Sequence, residues 1–406
     1  MSAPVTLPRL LADHAVPFGR ASFGGELIAA VDRAGLRGRG GALFPTSVKL
    51  RSVAAGRGRR VVVVNGAEGE PMSVKDRVLL ERVPHLVLDG AVAAAAAVGA
   101  DTIVVAIPNA RVHAHAAVDA ALAERDDRPR IRVAGVPDAF LSGEETAPVA
   151  ALEGRAPKPT LTPPRPSERG LKRRPTLVQN TETIAHIALI ARHGPGWFRA
   201  LGPADHPGST LVSLSGCVAA PGVHEIAVGT RVGDLLERAG GLTEPARAVL
   251  LGGYHGTWVD GDRAASLRLE DDELARRRLT IGAGVVVALP QSACPVAEVS
   301  RIMTWLAEET AGQCGPCVHG LAAIAAEVAD VRAGRAGRQA LDRLRRWSGQ
   351  IAGRGACHHP DGSARFLASA LSLFEPELEL HRRFGPCESC AAPAVLATPS
   401  TRAVAA

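Results

Sequence analysis

The chain has 406 residues and a formal charge of +6, with 46% hydrophobic and 22% charged residues. That length exceeds one ordinary domain, and that composition excludes a disordered polyelectrolyte. Basic residues are scattered, with no long run interleaved with aromatics, which argues against nucleic-acid binding.

Aromatics total only 3%, so the cores must rest on Val, Leu, Ile and Ala. The N-terminus shows no secretion signal, and the most apolar run, Ala91 to Ala100, is too short and too Ala-rich to span a bilayer. It reads as a buried helix in a cytoplasmic protein. From Leu27 onward, apolar runs alternate with helical periodicity. Arg60–Asn65 (RVVVVN), Thr102–Ile107 and Ile131–Val136 read as strands buried on both faces. Leu86–Val98, Asn109–Glu124 and Thr183–Arg192 read as helices, so residues 1–205 are expected to form an α/β layer with a largely parallel sheet. Pro157–Pro175, rich in Pro and Arg, is expected to be an extended loop.

Beyond Pro207 the elements become short and β-like: Thr210–Gly216, His224–Val228, Ala248–Leu251 and Val285–Leu289. A helix, Thr230–Ala239, lies among them and stops at Gly240-Gly241. Residues 206–292 thus suggest a β-grasp-like unit. Residues 293–385 carry four helical patterns, Ser300–Glu309, His319–Arg332, Ala340–Ala352 and Ala364–Leu373, enough for a bundle. The low-complexity stretch at 386–406 is expected to be a disordered tail.

Four segments are candidate ligand-binding loops, and the second and third follow strands, where an open α/β sheet presents such loops. The first, Gly35 to Thr46 (GLRGRGGALFPT), can bring consecutive N–H groups to an anion, with Arg37, Arg39 and Lys49 adding charge. It lacks the spacing and preceding strand of the dinucleotide fingerprint. The second, Asn65 to Pro71 (NGAEGEP), follows a buried strand and is succeeded by Lys75-Asp76-Arg77. The third is Ser142 to Ala147 (SGEETA), and the fourth, Gln179 to Thr183 (QNTET), opens a helix.

In this order the four segments resemble the NADH-binding flavoprotein of respiratory complex I (its 51 kDa component) and the diaphorase subunits of NAD-linked hydrogenases and formate dehydrogenases. The resemblance covers about Gly35 to Glu377. It implies a Rossmann-like FMN/NADH-binding α/β domain, a β-grasp (SLBB-like) middle domain and a C-terminal helical bundle carrying an iron–sulfur site. It assigns Gly38, Arg39, Gly40, Gly41 and Lys49 to the FMN phosphate, and Asn65 and Glu68 to the flavin ring. Asn180 and Thr183 complete the pocket, while Gly143, Glu144 and Glu145 contact flavin and nicotinamide nucleotide. Phe44 stacks on adenine. Glu68 and Glu144 are the candidate catalytic residues. The implied activity is hydride transfer from NADH to FMN and single-electron delivery to a ferredoxin-like or thioredoxin-fold iron–sulfur subunit, with membrane association only through a complex.

The sequence departs from the family at Ala67, where Asp is usual, at Leu43 for Gly, at Gln179 for Asn and at Phe140 for Tyr. Val53 and Arg165 stand in the places of two adenine-stacking aromatics. Good stacking pairs are worth about 0.5–1.5 kcal/mol each beyond area burial. Arg165 could instead meet a 2′-phosphate, so NADPH is an alternative donor.

There are seven cysteines: Cys217, Cys294, Cys314, Cys317, Cys357, Cys387 and Cys390. An odd, clustered set favours metal or redox chemistry over disulfides. The resemblance makes Cys314, Cys317 and Cys357 iron–sulfur ligands, with Ala311 where the first of four ligands should stand. The cluster could be [4Fe–4S] with a substitute ligand such as His319, water or another cysteine, could be [3Fe–4S], or could be lost. The Cys387–Cys390 pair could supply that ligand, bind zinc or have no role. A non-catalytic paralogue kept for assembly or docking is the alternative function.

Overall fold

The computed structural model describes residues 6–14, 26–126 and 131–399. The chain divides into two compact units. The first holds the chain up to Gly69 together with Ser73–Val212 and Val223–Thr230. The second holds Glu70–Met72, Ser213–Gly222 and the chain from Arg231 onward.

In the first unit, β1 (Arg60–Asn65), β2 (Ala100–Pro108), β3 (Ile131–Val136) and β4 (Thr176–Asn180) form a sheet ordered β3-β2-β1-β4. Every neighbouring pair is parallel. Alternate residues feed two cores. Val62, Val64, Ile103, Val105 and Leu177 face one layer, and Val61, Val63, Val104, Ala106 and Val178 face the other. Burial on both faces is why these strands read as unbroken Val runs. Three strands were legible in the sequence; β4 was not, because its five residues lie between a Pro-rich loop and a helix start.

Helix Pro84–Val98 is buried almost all round, as its Ala-rich run implied. It packs against helix Thr181–Arg199 so closely that a Cβ on Gly90 would stand 2.0 Å from Ile184 O. Glycine is required there for the backbones to approach. The Pro157–Pro175 region is extended except for the short helix Pro166–Arg169 and a 3₁₀ turn at Leu171–Arg173.

In the second unit, the Ser213–Gly216 part of β5 (Ser209–Gly216) pairs in parallel with β9 (Val285–Pro290). Antiparallel to β9 lies β7 (Ala246–Leu251), followed by β8 (Thr257–Asp260). From Val223 onward, β6 (Gly222–Ala227) belongs to the first unit. Helix Val232–Arg238 intervenes in the chain, as in a β-grasp unit.

Five α-helices follow among the described residues: Pro295–Glu308, Ala322–Arg332, Ala340–Ile351, His359–Leu373 and Glu375–Phe384. The last was not expected, since only Leu378 and His381 of this charged segment are buried. The expected boundary between 292 and 293 falls inside one compact unit. The Trp258 ring packs 5.9 Å from Phe366 and 5.4 Å from Phe374, and a Cβ on Gly362 would meet the His255 ring.

The expectation of a disordered tail is corrected for residues 386–399. Val395 and Leu396 each donate a backbone N–H to the Glu298 carboxylate at 3.0 Å, and Leu396 is fully buried. The Tyr254 hydroxyl donates to Ala397 O. A buried carboxylate in need of donors and one well-placed leucine hold a segment whose composition argues for neither. Residues 400–406 lie outside the described residues.

Candidate functional site

Strand order reverses between β1 and β4, because β2 and β3 lie on the other side of β1. Ligands of open α/β sheets bind outside the carboxyl ends of the strands at such a switch point. Asn65 and Asn180, the last residues of β1 and β4, stand opposite each other in register there.

Most of the expected residues converge on this point. Asn65 Nδ2 donates to Gly143 O at 3.0 Å, and Asn65 Oδ1 accepts from Ala67 N at 3.1 Å. Asn180 Oδ1 caps helix Thr181–Arg199, accepting from Glu182 N at 3.0 Å and Thr183 N at 3.4 Å. Arg39 N donates to Thr183 Oγ1 at 2.8 Å, and a Cβ on Gly40 would lie 3.3 Å from Asn180 Cβ. The glycine loop is thus laid on the start of that helix. Gly38 N is committed to Phe44 O at 2.9 Å, while Gly41 takes a positive φ of 101°. Leu43 also holds a positive φ of 54°, where the family has Gly. Gly69 has no room for a side chain: a Cβ there would stand 2.0 Å from Phe140 O, so this contact joins the loop after β1 to the turn at Phe140–Gly143.

A cavity of about 280 Å³ opens in the same unit, lined by Phe44, Val48, Lys49, Ser52, Glu145 and Arg165 among others. Lys49 Nζ bonds Glu145 Oε2 at 2.7 Å and Val178 O at 3.2 Å. Helix Thr46–Ala55 begins at the end of the glycine loop with no side-chain cap, and Thr46 Oγ1 is buried without a hydrogen-bond partner. The Lys49 cation and the Phe44 ring suit this cavity to a phosphorylated nucleotide. Arg165 lines this cavity, but Val53 is wholly buried in the core and forms no part of the wall, so its size bears on packing rather than on stacking.

Two expected catalytic carboxylates are occupied otherwise. Glu68 accepts from Ser73 Oγ, Asp76 N (3.2 Å) and Arg77 N (3.3 Å), holding the start of helix Lys75–Arg82. Glu144 accepts from Thr146 N at 3.0 Å, Ala147 N at 3.2 Å and the Thr146 hydroxyl. Burial raises its pKa, against the pull of those bonds. The Arg39 side chain, expected at the phosphate, is buried and reaches His206 Nε2 at 3.0 Å and Ser209 O at 3.2 Å. It lies 4.0 Å from Glu182 Oε1.

Beneath these groups lies a charged cluster to which the sequence alone assigned no role. Lys75 Nζ stands 2.9 Å from Asp76 Oδ1 and 2.9 Å from Glu182 Oε2, all three being buried. Asn180 Nδ2 donates to Asp76 Oδ2 at 2.5 Å. The available signal was local only: Lys75 and Asp76 open one helix and Glu182 lies in the first turn of another. Burial, reinforced by Glu68 and Glu182, raises the Asp76 pKa to about 7 against the opposing pull of Lys75. Glu182 is held well below the usual range by Lys75, against its own burial. A raised folded pKa favours the protonated form, so the Asp76 contribution to stability is complete below its unfolded pKa of about 4 and fades as pH rises through about 7. Wild type should therefore lose thermal stability relative to Asp76→Asn between about pH 4 and pH 7. Parallel melting curves across that window would contradict this.

In the second unit, Cys314 and Cys317 flank the start of a π-helical turn, Pro316–Leu321, with Cys317 N donating to Cys314 O at 3.1 Å. Ala356 N donates to Cys314 Sγ at 3.4 Å, which brings the neighbour of Cys357 onto Cys314. Burial, then the adjacent Cys357 and Cys314, pushes the Cys317 thiol up to about 12. A cationic iron centre on the three sulfurs would relieve the repulsion that Cys357 and Cys314 impose on Cys317. Ala311 offers no donor, and His319 is exposed. Cys387 and Cys390 gather instead with Cys294 and His381.

Residues 31–189 match the family model of the Nuo51 FMN-binding domain, 211–254 that of the SLBB domain, and 297–381 that of the NADH-ubiquinone oxidoreductase-F iron–sulfur binding region. One of the NADH-quinone oxidoreductase F subunits of Rhizobium meliloti is 33% identical over 376 residues, 88% of each chain. The chain belongs to the family of NADH-quinone oxidoreductase F subunits. The F subunit of the Streptomyces coelicolor enzyme is 34% identical, over 88% of this chain and 83% of its own. The NAD⁺-reducing [NiFe]-hydrogenase in its H₂-reduced state superimposes with a TM-score of 0.85 at 30% identity, covering 95% of this chain and 68% of the hydrogenase chain. Like its relatives the chain is an FMN-binding NADH oxidoreductase subunit with an iron–sulfur binding region, and the non-catalytic alternative is not favoured. Among the described residues, no helix is long and apolar enough to cross a membrane.

Proposed function

We propose that this subunit works in the cytoplasm within a larger complex, oxidising NADH at the β1/β4 switch point. It passes electrons through a cluster on Cys314, Cys317 and Cys357 to an iron–sulfur partner of ferredoxin-like or thioredoxin fold. The observation that carries this reading is the meeting of the glycine loop, Asn65, Gly143, Asn180 and Thr183 at one strand-end crevice, in the unit that also holds the Lys49 cavity.

FMN, when bound, supplies the exchange between a two-electron hydride donor and one-electron carriers. The protein's own part is placement. Gly40 and Gly41 offer backbone N–H groups to phosphate, and Lys49 exchanges Glu145 for that anion. Asn65 and Asn180 present amide groups to the ring. Phe44, Glu145 and Arg165 take the nucleotide, with Arg165 favouring a 2′-phosphate and Glu145 the ribose hydroxyls. Glu68 and Glu144 are positioning residues, because their carboxylates fix the strand-end loops by capping helices. Hydride transfer asks no proton of them.

FMN titration of wild type and Lys49→Ala, followed by flavin fluorescence, tests the placement. The variant should bind about tenfold more weakly, or about 1.4 kcal/mol. Equal affinity would remove Lys49 from the phosphate site.

A further inference from the structure

Four potential ligands apart from Cys314, Cys317 and Cys357 come together within the second unit. Cys294 precedes helix Pro295–Glu308, His381 lies in the last turn of helix Glu375–Phe384, and Cys387 and Cys390 bracket the turn after it. Their sulfur and nitrogen atoms all lie within 4.8 Å of one another. Cys294 Sγ is 3.4 Å from His381 Nε2 and 3.4 Å from Cys390 Sγ. Cys390 Sγ is 3.3 Å from His381 Nε2 and 3.8 Å from Cys387 Sγ.

Those separations select the occupant. A tetrahedral zinc ion with Zn–S of about 2.3 Å and Zn–N of about 2.0–2.1 Å spaces its ligands about 3.5–3.8 Å apart. In a multi-iron cluster the thiolates bind different irons and stand much further apart, so this set fits one ion. The imidazole is prepared as well. His381 Nδ1 lies 2.8 Å from Glu377 O, so Nδ1 carries the proton and donates it, leaving the Nε2 lone pair facing the sulfurs. Ala297 N donates to Cys294 Sγ at 3.3 Å, which fixes the sulfur at the start of helix Pro295–Glu308.

We propose that Cys294, His381, Cys387 and Cys390 form a structural Zn²⁺ site. All four positions are taken by protein, which leaves none for substrate or water. The ion ties residues 387–390 to two helices of the bundle. The chain beyond then lies along helix Pro295–Glu308, where Arg301 donates to Leu396 O at 3.1 Å and Glu298 receives Val395 N and Leu396 N. Binding displaces thiol protons to solvent and changes no oxidation state.

Metal analysis of the full chain, with acid-labile sulfide measured alongside, tests this. Wild type should carry about one zinc per chain, and Cys387→Ser/Cys390→Ser should lose it by about fivefold or more. Cys314→Ser/Cys357→Ser should lose iron and sulfide and keep the zinc, so this site and the cluster assignment can fail separately. Should the Cys387→Ser/Cys390→Ser chain not fold, His381→Cys serves in its place. It should retain the ion and alter the visible bands of the cobalt-substituted protein. Wild type without zinc, zinc unaffected by Cys387→Ser/Cys390→Ser, or a Cys294–Cys390 disulfide in the peptide map would each overturn the proposal. Unaltered cobalt bands in His381→Cys would do the same.

Discussion

Replacing Lys75 with Met should cost about 3–5 kcal/mol of stability, because it leaves the buried Glu182 carboxylate without its ion-pair partner. Lys75 is 3% exposed and touches both Asp76 and Glu182, and Glu182 is wholly inaccessible. The nearest remaining guanidinium, Arg39, stands 4.0 Å from Glu182. Glu182 also accepts from Thr210 Oγ1 at 2.9 Å and Leu211 N at 3.0 Å, bonds that satisfy oxygen lone pairs without neutralising charge. That carboxylate must then take up a proton, or the cluster must open. Because Asn180 donates to Asp76 while capping helix Thr181–Arg199, the damage should reach the switch point as lost flavin retention. Urea unfolding of Lys75→Met, Glu182→Gln and the double variant measures this. The double variant should recover part of the loss, since neutralising Glu182 removes one stranded charge. A loss below about 1 kcal/mol in Lys75→Met would mean the ion cluster is solvated in solution.

Cys317→Ser should abolish the iron–sulfur centre and lower NADH-driven reduction of a one-electron carrier by at least about tenfold. Cys317 is the buried member of the three, and with Ala311 in the fourth place no spare thiolate can substitute for it. Cys387 and Cys390 are held in a different cluster of ligands. Iron and sulfide analysis with paramagnetic resonance of the reduced chain gives the readout. Cluster content equal to wild type in Cys317→Ser would show that the centre is held elsewhere.

The strand-end loops were legible because their chemistry is local: glycines before a helix, Asn at the ends of apolar runs, paired acidic residues after a strand. What those side chains contact was not. Glu68 and Glu144 look free for catalysis in the sequence, yet each caps a helix whose start lies a few residues on. Arg39 reads as a phosphate ligand until Glu182, far along the chain, proves to need a cation. Val53 occupies a family stacking position by alignment but a core position in the fold. Helix Glu375–Phe384 and the docked residues 386–399 were hidden for a related reason: one or two buried side chains hold each, too few to set a periodicity. The Cys387–Cys390 pair showed its spacing, but its companions Cys294 and His381 are brought to it only by tertiary packing.

Anaerobic titration of the purified chain with NADH, followed in the visible spectrum, tests the central claim most directly. The account predicts bound flavin absorption that bleaches as NADH is added, together with a broad iron–sulfur shoulder. A folded, colourless chain, or a flavin band that NADH leaves unchanged, would contradict it.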